Sequence, residues 1–308
     1  MTGLAYLFPG QGSQYVGMGR ALCEAMPEAR ATFGEASEVL GLDLAALCYE
    51  GPEEFLALTA NVQPAILTVS VAVARTLEAR GARRPVLVAG HSLGEYSALV
   101  CAGALAFRDA VRLVRRRGEF MQETIPAGEG AMAAILGLEP SEVEALCHEV
   151  AKGEVVSCAN YNSPGQVVVS GHREAVGRAV AAARARGARR AVPLPVSAPF
   201  HCALMAPAAA RLQAELDRLE IHQPAVPVVT NVEAEPTQDP ARIRDLLVSQ
   251  VVCPVRWDAS LRRMAAAGVT LFAEVGPGKV LAGLVRRTLD GIPCVNVEDP
   301  SGLAALGA

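Results

Sequence analysis

The sequence predicts an α/β protein with a largely parallel sheet, interrupted by one small inserted subdomain. Short apolar runs at Leu4–Phe8, Pro85–Ala89, Val226–Thr230, Thr270–Val275 and Pro293–Val297 alternate with amphipathic helical stretches. Strands apolar on both faces and joined by helical crossovers are what a covered parallel sheet requires. In the middle of the chain the order changes to extended Ala131–Leu138, helical Ser141–Val150, extended Val155–Ala159, extended Gln166–Ser170, helical Glu174–Arg186 and extended Arg190–Val196. That β-α-β-β-α-β order is the ferredoxin-like split unit. Turn formers bracket it, with Pro126, Gly128 and Gly130 before and Pro193, Pro195 and Pro199 after. The expected division is a large domain of residues 1–126 and 198–308 and a small subdomain of 127–197.

Composition narrows the function classes. The 308 residues carry 28 basic and 32 acidic side chains, a formal charge of −4, which excludes a charge-driven nucleic-acid coat or a polybasic membrane binder. At 32.1 kDa size scaling gives about 12,000 Å² of folded surface against about 47,000 Å² unfolded, enough burial for a core without staples. Mean hydropathy is +0.28, yet the most apolar stretch, Leu99–Phe107, is closed by Arg108 and Asp109 at about half the roughly 20 residues of a spanning helix. Pro9 and Gly10 interrupt the first apolar run, and no cationic segment precedes it, so no signal peptide is expected. The eight cysteines form no C-x-x-C pair; reduced thiols in the cytoplasm, and no metal, are the expectation.

Gly90, His91, Ser92, Leu93 and Gly94 spell G-x-S-x-G between an apolar strand and a helix opening at Glu95, the context of a nucleophilic serine on a tight turn. Small neighbours let the hydroxyl project, and the first helical amides face an oxyanion formed there. His91, adjacent to the serine, cannot fold back onto it and is read as wall. Of the remaining histidines, His148, His172 and His222 lie in a polar helix or at element boundaries. His201 sits in the uncharged loop Pro199–Cys202 and is the candidate general base.

The acid of a triad is missing. Asp109, at a helix start, is the only aspartate between Ser92 and His201, and the glutamates there read mainly as residues of helix surfaces. A Ser-His dyad follows, with a neutral amide or main-chain carbonyl holding the imidazole tautomer.

From Phe107 to Glu123, Ala110, Val111, Leu113, Val114, Phe120 and Met121 form one helical stripe. Arg117 projects from the middle of that apolar face, where a guanidinium needs an anion: a protein carboxylate, or one that arrives with substrate.

Phe8, Pro9, Gly10, Gln11, Gly12, Ser13 and Gln14 follow the first strand. Their spacing fits neither a Walker loop nor a dinucleotide fingerprint, and beside a serine nucleophile they fit an oxyanion donor. Phe8–Gln14, Gln63 with Pro64 and Ala65, Gly90–Gly94, Arg117, Asn160 with Asn162, the stretch 197–205, Gln250 and Glu274–Leu281 together resemble the malonyl-CoA:acyl-carrier-protein transacylases, which include the acyltransferase domains of fatty-acid and polyketide synthases. The resemblance spans nearly the whole chain.

That resemblance implies a large α/β-hydrolase-like domain with a ferredoxin-like insert. It implies Ser92 as nucleophile, His201 as base, Arg117 as ligand of the malonyl carboxylate, the amides of Gln11 and Leu93 as oxyanion hole, and the Gln250 carbonyl as the group orienting the histidine. Gln63, Asn160 and Asn162 match polar positions around the cleft, and Phe200 before His201 resembles a pairing common in malonyl-selective members. The implied substrates are malonyl-CoA and the phosphopantetheine thiol of an acyl carrier protein, with no cofactor, nucleic acid or membrane. An acyl hydrolase acting on carrier proteins is the alternative.

Overall fold

The computed structural model describes residues 3–126, 128–196 and 198–307; the boundary positions 127 and 197 lie outside the described residues, and with them Ser197 of the 197–205 motif. β1 (Gly3–Phe8) leads into α1 (Arg20–Ala25), α2 (Pro27–Leu40), α3 (Leu44–Glu50), α4 (Glu53–Ala57) and the long α5 (Thr59–Ala79), followed by β2 (Leu87–Gly90), α6 (Gly94–Cys101) and α7 (Phe107–Thr124). After the middle segment come α10 (Ala206–Leu216), β7 (Val228–Val229), β8 (Pro236–Thr237), α11 (Pro240–Ser249), β9 (Val255–Arg256), α12 (Trp257–Ala266), β10 (Val269–Val275), α13 (Val280–Thr288), β11 (Cys294–Val297) and α14 (Pro300–Leu303). Within the middle segment lie β3 (Gly130–Leu136), α8 (Pro140–Val150), β4 (Val156–Ser163), β5 (Gln166–His172), α9 (Arg173–Ala185) and β6 (Arg190–Pro193).

The larger sheet has the order β11-β10-β1-β2-β7-β8, parallel throughout except for the β7–β8 pair at its edge. Alternation along β1 explains its two covered faces. Leu4, Tyr6 and Phe8 enter the core beneath α2, α5, α6 and α7, while Ala5 and Leu7 meet Trp257, Leu261 and Leu284 from α12 and α13 on the other side. The five apolar runs expected as strands are β1, β2, β7, β10 and β11. The accessible surface is 12193 Å², close to the size-scaling expectation.

The smaller sheet runs β6-β3-β5-β4-β9, antiparallel among β3 to β6, with α8 and α9 covering one face through Val143, Leu146, Val176 and Ala179. Two features depart from the sequence reading. β4 extends to Ser163, past the expected end at Ala159, so Asn160 and Asn162 lie on the strand, and the register shifts between Cys158 and Asn160 and again between Tyr161 and Ser163. β9, from beyond the insert, joins the insert's sheet parallel to β4. Two residues are too short for periodicity to reveal, and the pairing is set by tertiary placement.

Candidate active site

The site forms where β1 and β2 end, the edge at which parallel sheets bind ligands. Ser92 occupies the tip of the β2–α6 turn with φ of 50°, a left-handed conformation unfavourable for a residue with a Cβ. A Cβ on Gly90 would overlap the main chain of Gly94, and one on Gly94 would overlap that of Phe8. The two glycines thus let α6 start against the sheet end and thrust the serine outward. Asn231, just after β7, clamps this turn: its Oδ1 accepts from Ser92 N at 2.7 Å and its Nδ2 donates to Gly90 O at 2.7 Å.

Ser92 Oγ lies 2.8 Å from His201 Nε2, and His201 Nδ1 lies 2.7 Å from the main-chain oxygen of Gln250. A carbonyl oxygen only accepts, so Nδ1 carries the proton and Nε2 faces the hydroxyl as acceptor. Burial, helped by the positive charge of Arg117, pushes the imidazole down to about 3, which leaves it neutral at neutral pH. Asp109 is on the surface, paired with Arg112 at 3.2 Å, and has no part in this line.

Arg117 reaches the same point from α7. Gly118 beside it allows that helix to touch α5 closely, since a Cβ there would stand 2.6 Å from Thr59 O. Nη1 then donates to Gln63 Oε1 at 2.8 Å, and Nη2 to Gln250 Oε1 at 2.9 Å and to Ser92 Oγ at 3.3 Å. The guanidinium is 5.4 Å from the Tyr96 ring centroid, and Nε is buried without a hydrogen-bond partner. Among the described residues no carboxylate comes within ion-pair distance of it. A buried cation held by neutral amides and facing a serine hydroxyl has the charge and donor geometry to bind an anion brought to that hydroxyl.

The acyl transferase domain family matches residues 5–304. The chain belongs to that family. It is 53% identical over 305 residues to the malonyl CoA-acyl carrier protein transacylase of Escherichia coli K12, covering 99% of both chains. The structure of the malonyl CoA-acyl carrier protein transacylase from Coxiella burnetii is similar at a TM-score of 0.98 and 45% identity, covering 99% of this chain and 97% of that one. A malonyl-transacylase solved in complex with a type II PKS acyl-carrier protein is similar at a TM-score of 0.98 and 49% identity, covering 99% of both chains.

In this acyl transferase family member, a cavity of 110 Å³ opens over the serine, lined by Gln11, Gln63, Leu93, Arg117, Asn160, Phe200 and His201 together with Met121, Met132, Leu194 and Val196. A cavity of that size, with apolar walls beside the serine, suits a short acyl group. The amides of Gln11 and Leu93 have no acceptor among the described residues, as an oxyanion hole needs. Gly276, in the turn after β10, lies against the Pro9 ring, and Glu274 accepts from the amides of Leu281 and Ala282 at 2.9 and 2.8 Å. The Glu274–Leu281 motif therefore caps α13 and braces the Gln11 loop.

Asn162 does not line this cavity as the resemblance led us to expect; its Oδ1 is 2.9 Å from His91 Nε2. His91, stacked edge-on to Trp257, is the wall read from the sequence. The glutamates after Ser92 lie mainly on helix surfaces as expected, with Glu95 the exception. Glu95 is 1% exposed, and its Oε2 accepts from Gln250 Nε2 at 2.7 Å and from Asn231 N at 3.2 Å. Neither Glu95 nor Asn231 was legible as a site residue: an acidic residue in a first helical turn is satisfied by the helix terminus alone, and its burial depends on two loops remote in sequence.

Proposed function

We propose that the chain transfers the malonyl group of malonyl-CoA to the phosphopantetheine thiol of an acyl carrier protein, through a malonyl ester on Ser92. The observation that carries this reading is Arg117, 3.3 Å from the Ser92 hydroxyl and, among the described residues, in direct contact with no carboxylate. His201 Nε2 takes the Ser92 proton as Oγ attacks the thioester carbonyl, and the amides of Gln11 and Leu93 hold the oxyanion. Collapse of the tetrahedral intermediate expels CoA, which leaves with the proton from His201. The carrier thiol then attacks the ester, His201 takes its proton and returns it to Ser92, and the malonyl thioester departs. Arg117 binds the free carboxylate bidentately through both half-reactions. Gln63 keeps the guanidinium in the cavity, Asn160 faces the acyl group from β4, and Phe200 limits its width.

No cofactor has a part in this scheme, since a thioester is activated enough for a serine and a neutral imidazole. Residues 1–126 with 198–308 are read as an α/β-hydrolase-like domain and 127–197 as a ferredoxin-like subdomain; the strand order β6-β3-β5-β4 supports the latter. Eight free cysteines fit a cytoplasmic location.

Intact-mass measurement tests the proposal. Malonyl-CoA alone should add one malonyl group to the wild type and none to Ser92→Ala, and holo carrier protein should then remove it as malonyl-carrier. Discharge to free malonate in preference to the carrier would establish the hydrolase instead.

A further inference from the structure

The site contains one buried acid that the mechanism above leaves unused. Glu95 stands behind Ser92, on the far side of the Gln250 amide from Arg117. That amide has no freedom to choose its orientation. Its Nε2 donates to Glu95 Oε2 at 2.7 Å and to Ser92 O at 3.0 Å, while its Oε1 accepts from Arg117 Nη2 at 2.9 Å. Rotated by half a turn, it would set its oxygen against a carboxylate and a carbonyl and its NH2 against a guanidinium, leaving the contacts on both sides mismatched. The Gln250 main chain is held separately, its N–H donating to Leu246 O at 2.8 Å and its carbonyl accepting from His201 Nδ1 at 2.7 Å, so Glu95 contacts Gln250 through the side-chain amide.

We propose that Glu95 is a positioning residue for acyl selectivity, fixing the Gln250 amide so that it aims Arg117 at the substrate carboxylate. The inference rests on the reading of Arg117 as the carboxylate ligand. It assigns to Glu95 an anionic counterweight that stays out of the guanidinium's reach: near enough to stabilise a buried cation through an intervening amide, too far to occupy the fork of donors that malonyl needs. A carboxylate in direct contact would neutralise Arg117 and close the site to an anionic group. Burial holds the Glu95 carboxyl up, at about 7, against the pull of Arg117 on α7; Tyr96 is its other titratable neighbour, and Asn231 and Gln250 are neutral.

The test is the ratio of malonyl-CoA to acetyl-CoA acylation rates in single turnover, measured on folded Glu95→Gln and Glu95→Ala. The ratio should fall at least threefold in the first and at least tenfold in the second; if the alanine variant does not fold, the glutamine variant decides. In a Gln250→Met background, Glu95→Gln should move the ratio no further. In the wild type the ratio should also decline as pH drops below about 7, a dependence absent from Glu95→Gln. A ratio within twofold of wild type, or an effect undiminished without the Gln250 amide, would overturn the inference. Arg117→Ala run in parallel separates the two claims: if it collapses the ratio while the Glu95 variants do not, only the role of Glu95 fails, and if it leaves the ratio intact, the reading of Arg117 fails first.

Discussion

The main-chain oxygen of Gln250 holds His201 Nδ1 at 2.7 Å, in the place a triad would give to a carboxylate. A carbonyl fixes the imidazole tautomer as a carboxylate does, but it adds no negative charge beside a site that, on the proposed function, admits an anionic acyl group. Asp109→Asn should therefore leave malonyl transfer within twofold of wild type, whereas His201→Ala should lose about 10²–10⁴-fold. Steady-state rates on both folded variants check this, and a collapse in Asp109→Asn would restore the triad.

The buried imidazole also sets a pH signature. In the proposed mechanism His201 acts as base in its neutral form, which persists at every pH above its pKa, so lowering that pKa to about 3 should extend activity toward acid. Acetylation of the enzyme by acetyl-CoA, which involves no substrate carboxylate, should stay nearly flat from about pH 7.5 to about pH 5. An ordinary histidine titrating near 6.5 would cost about thirtyfold over that interval. Stopped acylation assays across the range decide between them.

Phe200 lines the cavity over Ser92 beside His201. Phe200→Ser opens space for one more methyl group, worth about 0.8 kcal/mol when buried, so the methylmalonyl-to-malonyl ratio should rise about fourfold. An unchanged ratio in a competition assay would leave Phe200 a packing role only.

Gly118 is where α7 meets α5, with no room for a methyl group. Gly118→Ala should destabilise the protein by about 1–3 kcal/mol, as overpacking does, and should weaken malonyl transfer more than acetyl transfer because Arg117 and Gln63 are pushed apart. Urea midpoints with the two acylation rates measure both effects.

Much of this was legible in the sequence because the signals are local. The strands of the parallel sheet announce themselves as continuous apolar runs, the G-x-S-x-G turn as small residues around a serine, and Arg117 as a cation on an apolar stripe. What was not legible depends on distant segments converging. Nothing near Glu95 marks it as buried, because the groups that cover it, Asn231 and Gln250, lie more than a hundred residues away. Strand β9 is too short to show a period, and no local signal shows that the Asn162 side chain meets His91.

The central claim is that a buried guanidinium reads the malonyl carboxylate, and single-turnover acylation of Arg117→Ala by malonyl-CoA and acetyl-CoA tests it most directly. Removing one partner of a buried charge pair costs about 2–5 kcal/mol, so malonylation should fall by about thirtyfold to several thousandfold while acetylation holds or improves. Equal losses with both substrates in the folded variant would make Arg117 structural and contradict the account.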